Sequence, residues 1–96
     1  MEIRNYTYII ECSDGSLYTG WTNCIEKRLK DHNSGKGARF TRGRGPVRLC
    51  YLEIAQTKSD AMKREAAIKK LNHAQKEKLI RQGDLEKILE DYHICI

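Results

Sequence analysis

Two phenols, a guanidinium, an imidazole and a carboxylate follow one another in order along this 96-residue chain: Tyr8, Tyr18, Arg28, His32 and Glu65. Tyr8 lies ten residues before Tyr18, which opens the triplet Tyr18-Thr19-Gly20. A guanidinium stays cationic at any working pH, an imidazole titrates near neutrality, and a carboxylate can hold a hard metal ion. Metal-assisted cleavage of a phosphodiester needs such parts: a cation against the phosphate oxygens, a group that takes a proton and an anchor for the metal. Taken singly, each residue has a plainer explanation. The tyrosines suit strands, Arg28 suits a surface, and His32 suits the C-terminal end of a helix. Glu65 is the sharpest of the set. It falls among Ala61, Met62 and Ile68 on the apolar stripe of a helix, where a carboxylate is costly unless paired or bound to a metal. The plain alternative is an ion pair with Lys69 one turn on.

Positioning these groups falls to a small α/β (α+β) fold, a three-stranded antiparallel sheet with a β-hairpin, flanked by three to four helices. Tyr6–Cys12 and Ser16–Trp21 read as strands around the turn signal Ser13-Asp14-Gly15. A two-residue Asp-Gly turn would put Tyr8 and Tyr18 on opposite faces. A three-residue loop with Gly15 left-handed pairs Cys12 with Ser16 and puts Tyr8, Ile10, Tyr18 and Gly20 on one face. The three-residue loop is the expectation. Asn23 with Glu26 predicts an N-cap and capping box for a helix over Cys24–Asn33, which stacks Arg28 and His32 on one face beside Ile25 and Leu29. Ser34–Val47 reads as a long glycine-rich loop, and Arg48–Ile54 as a third strand in the centre of the sheet. Thr57 with Asp60 starts a helix running to about Leu71. His73–Gln82 predicts a helix stopped by Gly83, and Asp84 to about Tyr92 a short fourth. The whole of 1–96 reads as one domain, with a core over about 4–80 and a helical extension over about 84–93.

The charge is unevenly spread. The chain carries a net +5 with a pI of about 9.1, and Ser34–Arg48 holds Lys36, Arg39, Arg42, Arg44 and Arg48 with no acid and four glycines. A basic loop whose backbone can approach closely fits a phosphate chain, and Phe40 adds a stacking surface. No recognition-helix module is evident, so contact with backbone and shape is expected rather than with a fixed base sequence. The four cysteines, Cys12, Cys24, Cys50 and Cys95, show no C-x-x-C spacing or zinc cluster. Free thiols suit a reducing cytosol, and no secretory leader or membrane-spanning run is present. A cytoplasmic monomer follows as the expectation.

The ordered set resembles the GIY-YIG nuclease superfamily. Its first triplet appears as Tyr6-Thr7-Tyr8 with the final tyrosine kept, and its second as Tyr18-Thr19-Gly20 with tyrosine and glycine kept. Arg28 falls ten residues past the second tyrosine, His32 four further on, and Glu65 on the helix after the third strand. The strings Asn33-Ser34-Gly35-Lys36-Gly37-Ala38, Thr41-Arg42, Pro46-Val47 and Arg64-Glu65-Ala66-Ala67-Ile68-Lys69-Lys70-Leu71 look like its small stand-alone bacterial branch. The resemblance implies hydrolysis of a phosphodiester with one divalent ion, Mg²⁺ or Mn²⁺, and Glu65 as the only protein ligand. It implies Arg28 facing the non-bridging oxygens and Tyr18 taking a proton from water. Tyr8 would orient the water or Tyr18, and His32 is the rival base. Asn72 and Gln75 are candidates for the asparagine that some members place after the glutamate. The implied partner is nucleic acid, DNA ahead of RNA, in repair or nucleic-acid processing. Two alternatives stand beside it: a nucleic-acid-binding module that kept the fold without efficient turnover, and an accessory subunit docking through Leu79, Ile80, Leu85, Ile88, Leu89 and Ile94.

Overall fold

The structure, a computed structural model, describes residues 4–96. Strands β1 (Asn5–Glu11), β2 (Leu17–Thr22) and β3 (Arg48–Ala55) form one antiparallel sheet in the order β2-β1-β3. Helices α1 (Ile25–Asn33), α2 (Lys58–Lys69), α3 (His73–Gln82) and α4 (Leu85–Asp91) cover it. The expected α+β architecture is therefore present, with one change of order: β1, not β3, is central. Five consecutive buried residues, Tyr6–Ile10, mark β1 as covered on both faces, whereas β3 opens on exposed Arg48.

The hairpin takes the three-residue loop. Cys12 N–H donates to Ser16 O at 2.9 Å, Gly15 N–H donates to Cys12 O at 3.0 Å, and Gly15 has φ +84°. Tyr8 consequently faces Gly20 and Ile10 faces Tyr18, which puts all four on one side of the sheet. That side packs Tyr6, Tyr8, Ile10, Leu49 and Leu52 against Ile25 and Leu29 of α1 and Leu85, Ile88 and Leu89 of α4. The other side packs Ile9 and Tyr51 against Ile68, Leu79 and Ile80 of α2 and α3. A register shift between Ile9 and Ile10 skips Cys50 in β3, so Leu49 and Leu52 reach the same core although they are an odd three positions apart. The apolar residues of the C-terminal helices thus serve the chain's own two cores.

Local signals explain the helix starts, with one correction. Thr57 Oγ1 accepts from Asp60 N–H at 3.1 Å, as its spacing predicts. Asn72 and Gln75 form a reciprocal capping box on α3, which gives both side chains a structural use. For α1 the N-cap is Cys24 rather than Asn23 and has no side-chain cap. Thr22 Oγ1 instead accepts from Cys24 N–H at 3.1 Å. Starting there brings Ile25 and His32, seven residues apart, into the core together. On α2, Ala61 and Ile68 are buried while Met62 is exposed, so the apolar stripe is narrower than expected and Glu65 stands at its margin. Two polar links clamp α2 to the sheet: Thr7 Oγ1 donates to Ala61 O at 2.8 Å, and Arg64 holds the Glu53 carboxylate through two nitrogens at 2.8 and 2.6 Å.

Candidate active site

The five residues come from four elements, β1, β2, α1 and α2, on both sides of the sheet; Tyr8, Tyr18, Arg28 and His32 gather beside the edge strand β2, and Glu65 approaches from α2. Tyr8 and Tyr18 are diagonal neighbours on the α1 side. His32 fits between them, its ring centre 5.9 Å from that of Tyr8 and 5.5 Å from that of Tyr18, edge-on to both. Tyr8 Oη lies 2.9 Å from His32 Nε2, and His32 Nδ1 lies 2.8 Å from Thr41 Oγ1. One turn before His32, the Arg28 guanidinium is within hydrogen-bonding reach of Tyr8 and its charge reaches Tyr18. Gly20 keeps this corner open. A methyl group added there would meet Tyr8 Oη at 2.5 Å and Cζ at 2.7 Å.

Burial divides these groups into supports and faces. Tyr8 is 0 % exposed and His32 2 %, so neither presents surface to water or to a ligand in this arrangement. Burial first, opposed by the Arg28 charge, pushes the Tyr8 phenol up to about 12. Burial again, together with the Arg28 charge, pushes the His32 imidazole down from 6.5 to about 4. The pair is therefore neutral throughout the working range of pH. Both His32 nitrogens are engaged, which leaves it no lone pair for a water molecule and argues against it as the direct base. Tyr18, Arg28 and Glu65 are only partly buried.

Glu65 arrives from α2, on the opposite side of the sheet, yet its charge is felt at Tyr8. Its carboxylate pairs with Lys69 Nζ at 3.4 Å, and that ammonium also sits 5.7 Å from the Tyr18 ring centre. The i,i+4 partner expected of Glu65 is therefore present, and the same ammonium faces the Tyr18 ring. Among the described residues no three of His, Cys, Asp and Glu stand together as a metal-binding group. A lone, partly buried carboxylate fits Mg²⁺ or Mn²⁺, which retain waters and need few protein ligands; it does not fit zinc.

The basic loop carries a short 3-10 turn, Arg39–Thr41, inside the segment expected to be irregular. Its five cations are not equivalent. Lys36, Arg39 and Arg42 are exposed and make no ion pair among the described residues. Arg44 holds Asp14 of the hairpin turn at 2.6 Å, and Arg48 holds Glu11 at 2.7 Å. Phe40, 42 % exposed, stacks on Tyr18 at 5.7 Å and carries the Arg44 guanidinium 4.5 Å from its ring centre. The loop therefore abuts the site through an aromatic pair. Sequence reasoning found Lys69 only as the partner of Glu65 and gave no role to Thr41 or Lys76. The last is a half-buried lysine whose pKa is lowered by burial and then by the nearby Lys69. A threonine in a basic loop carries no periodic signal; Lys69 was visible as the residue one turn after Glu65. A cleft of about 330 Å³ lined by Trp21, Lys27, Arg28 and Asp31 adjoins the site. The larger groove, about 650 Å³, lies elsewhere, against Leu29, Val47, Leu49 and Ile96, and contains none of the five residues.

Residues 4–78 match the GIY-YIG catalytic domain, and the chain belongs to that family of nuclease domains. Within it, the chain is similar to UPF0213 proteins. One from Clostridium perfringens is 54% identical over 83 residues, 86% of this chain and 89% of its own. One from Syntrophus aciditrophicus is 58% identical over 81 residues, 83% of this chain and 93% of its own. The solution structure of a UPF0213 protein from Bacillus halodurans superimposes with a TM-score of 0.55 at 46% identity, covering 83% of this chain and 85% of that one. A second solution structure, of a protein from E. faecalis, gives 0.59 at 43%, covering 84% and 86%.

Proposed function

We propose that the chain is a divalent-metal-dependent nuclease that hydrolyses phosphodiester bonds in DNA, selecting by strand or structure more than by base sequence. One observation supports this reading: Arg28 and Tyr18 stand beside Tyr8 at the sheet edge, and Glu65 approaches the same phenols from α2, its partner Lys69 facing the Tyr18 ring. Arg28, steadied by Tyr8, neutralises charge on the non-bridging phosphate oxygens. Tyr18 Oη is assigned the proton of the attacking water, because it is the phenol of the pair that is not fully buried. Tyr8 and His32, both buried, act as the frame that holds Arg28 and the Tyr18 ring. Glu65 would hold Mg²⁺ or Mn²⁺. When bound, that ion supplies polarisation of the phosphate and support for the leaving oxygen.

Exposed Lys36, Arg39 and Arg42 give the substrate strand its backbone contacts, and Phe40 gives it an aromatic edge next to Tyr18. A role in repair or nucleic-acid processing fits a small domain with no base-reading element. Four free cysteines support a reducing compartment such as the cytosol.

A second reading is a nucleic-acid-binding module without efficient turnover. The Lys69–Glu65 pair favours it, because a cation already sits on the acid. One assay separates them: plasmid and branched or single-stranded DNA incubated with Mg²⁺ or Mn²⁺, beside a Glu65→Ala control. Cleavage lost in the control is the result expected of the enzyme. Binding without cleavage sinks the nuclease reading, and equal cleavage in both samples marks a contaminant.

A further inference from the structure

A chain of hydrogen bonds runs from the basic loop through the core to Tyr8, the neighbour of Arg28, and its direction follows from the end that has no choice. The Ala38 carbonyl can only accept, so the Thr41 hydroxyl commits its single proton to it, across 2.9 Å. Thr41 Oγ1 then has only lone pairs to offer His32 Nδ1 at 2.8 Å, so Nδ1 carries the ring proton. In the neutral ring the lone pair is left on Nε2, which accepts the Tyr8 hydroxyl proton across 2.9 Å. With its hydrogen given to His32, Tyr8 Oη has its lone pairs free for the neighbouring Arg28 guanidinium, which is a donor only.

We propose that Thr41 is a positioning residue: by committing His32 to the Nδ1–H tautomer it makes Tyr8 the donor to His32, which leaves the Tyr8 lone pairs to the neighbouring Arg28 guanidinium and so steadies that cation. The consequence for cleavage rests on the reading of Arg28 as the phosphate-facing cation; the tautomer itself does not. With the proton on Nε2 instead, Tyr8 would accept from His32 and point its own hydrogen at a guanidinium that has no acceptor. Tyr8, His32 and Thr41 are 0 %, 2 % and 1 % exposed, so water cannot repair that mismatch. Thr41 also closes the 3-10 turn that carries Arg39 and Phe40 and precedes Arg42. The loop assigned to the substrate strand and the cation assigned to the phosphate are therefore joined through one hydroxyl.

Nitrogen-15 spectra of the three histidines test this, with the His32 signals assigned by their loss in His32→Gln. In the unaltered protein, Nδ1 of His32 is of protonated, pyrrole type and Nε2 of bare, pyridine type. Thr41→Val keeps the shape and removes the acceptor, so the proton moves wholly or partly to Nε2; Thr41→Ser restores the original pattern. In the cleavage assay Thr41→Val lowers kcat about tenfold, the effect of one lost buried hydrogen bond, and leaves KM unchanged, while Thr41→Ser recovers the rate. A His32 protonated at Nε2 in the unaltered protein overturns the proposal. So does a Thr41→Val protein that keeps Nδ1–H, or one that changes tautomer without change in kcat. If Thr41→Val does not fold, the spectra of the unaltered protein and of Thr41→Ser decide. Absence of cleavage by the unaltered protein sinks the nuclease reading alone, because the spectra need no turnover.

Discussion

Lys69 places its ammonium 3.4 Å from the Glu65 carboxylate and 5.7 Å from the centre of the Tyr18 ring, so the acid of the cleft already holds a cation. A divalent ion bound at Glu65, as proposed, would have to displace it. The lysine side chain is about half exposed, which limits the pair to a small free energy. Lys69→Met is expected to tighten Mn²⁺ binding roughly two- to fivefold, the range that a surface pair permits. Titration calorimetry or the loss of the free Mn²⁺ resonance reads this without any substrate. Glu65→Gln is expected to abolish the same binding. Unchanged affinity in Lys69→Met would show that the two cations do not compete.

Gly20 gives a second test, since the methyl of Gly20→Ala would stand 2.5 Å from the Tyr8 hydroxyl. Tyr8 is enclosed by His32 and Arg28 and has nowhere to retreat. Overpacking of this kind costs about 1–3 kcal/mol, to be measured as a lower urea midpoint at constant slope. Because the displaced phenol is the one beside Arg28, cleavage is expected to fall further than DNA binding.

The neutral His32 makes stability depend on pH in one direction. Its folded pKa is depressed from 6.5 to about 4, so between those values the unfolded chain binds more protons than the folded one. Stability is therefore full above pH 6.5, falls as the pH drops toward 4, and levels off below, with a total loss of about 3 kcal/mol from this residue. Denaturant melts across that window, set against His32→Gln, isolate the contribution. A His32→Gln protein with the same slope against pH would refute it.

The loop cations divide into free and tied. Removing Arg42 or Lys36 is expected to lower the salt dependence of DNA binding by about one counterion each. Arg44→Ala is expected to change that slope less, because Asp14 already neutralises its guanidinium, and to loosen the hairpin turn instead. Fluorescence polarisation of a labelled oligonucleotide across a salt series separates the two classes.

Much of this arrangement was legible in the chain because its signals are local. Ser13-Asp14-Gly15 set the hairpin register, and that register decides which face Tyr8 and Tyr18 share. Thr57 with Asp60 announced α2, and the spacing of Arg28 and His32 placed both on one helical face. The missing parts depend on distant partners. Nothing near Arg44 or Arg48 foretells that Asp14 and Glu11, some 30 and 37 positions away, would claim them. The order of the strands depended on which one α1 and α2 would cover from both sides, and the Cys50 bulge hid the inward pattern of β3. Thr41 gives no signal of its own, because a hydroxyl that contacts a buried ring looks in sequence like any loop threonine.

The loop between α1 and β3 is moored at several points. Ser13 N–H and Oγ both donate to the Arg44 carbonyl at 2.8 Å, Val47 N–H donates to Asn33 Oδ1 at 2.7 Å, and Thr41 joins His32. A strap fastened this way has little disorder left to lose when a polymer lies down on it. On the reading that this loop takes the substrate strand, it would meet that strand as a mould with a set contour, rewarding strands that already follow its curve and turning away those that would need the protein to bend.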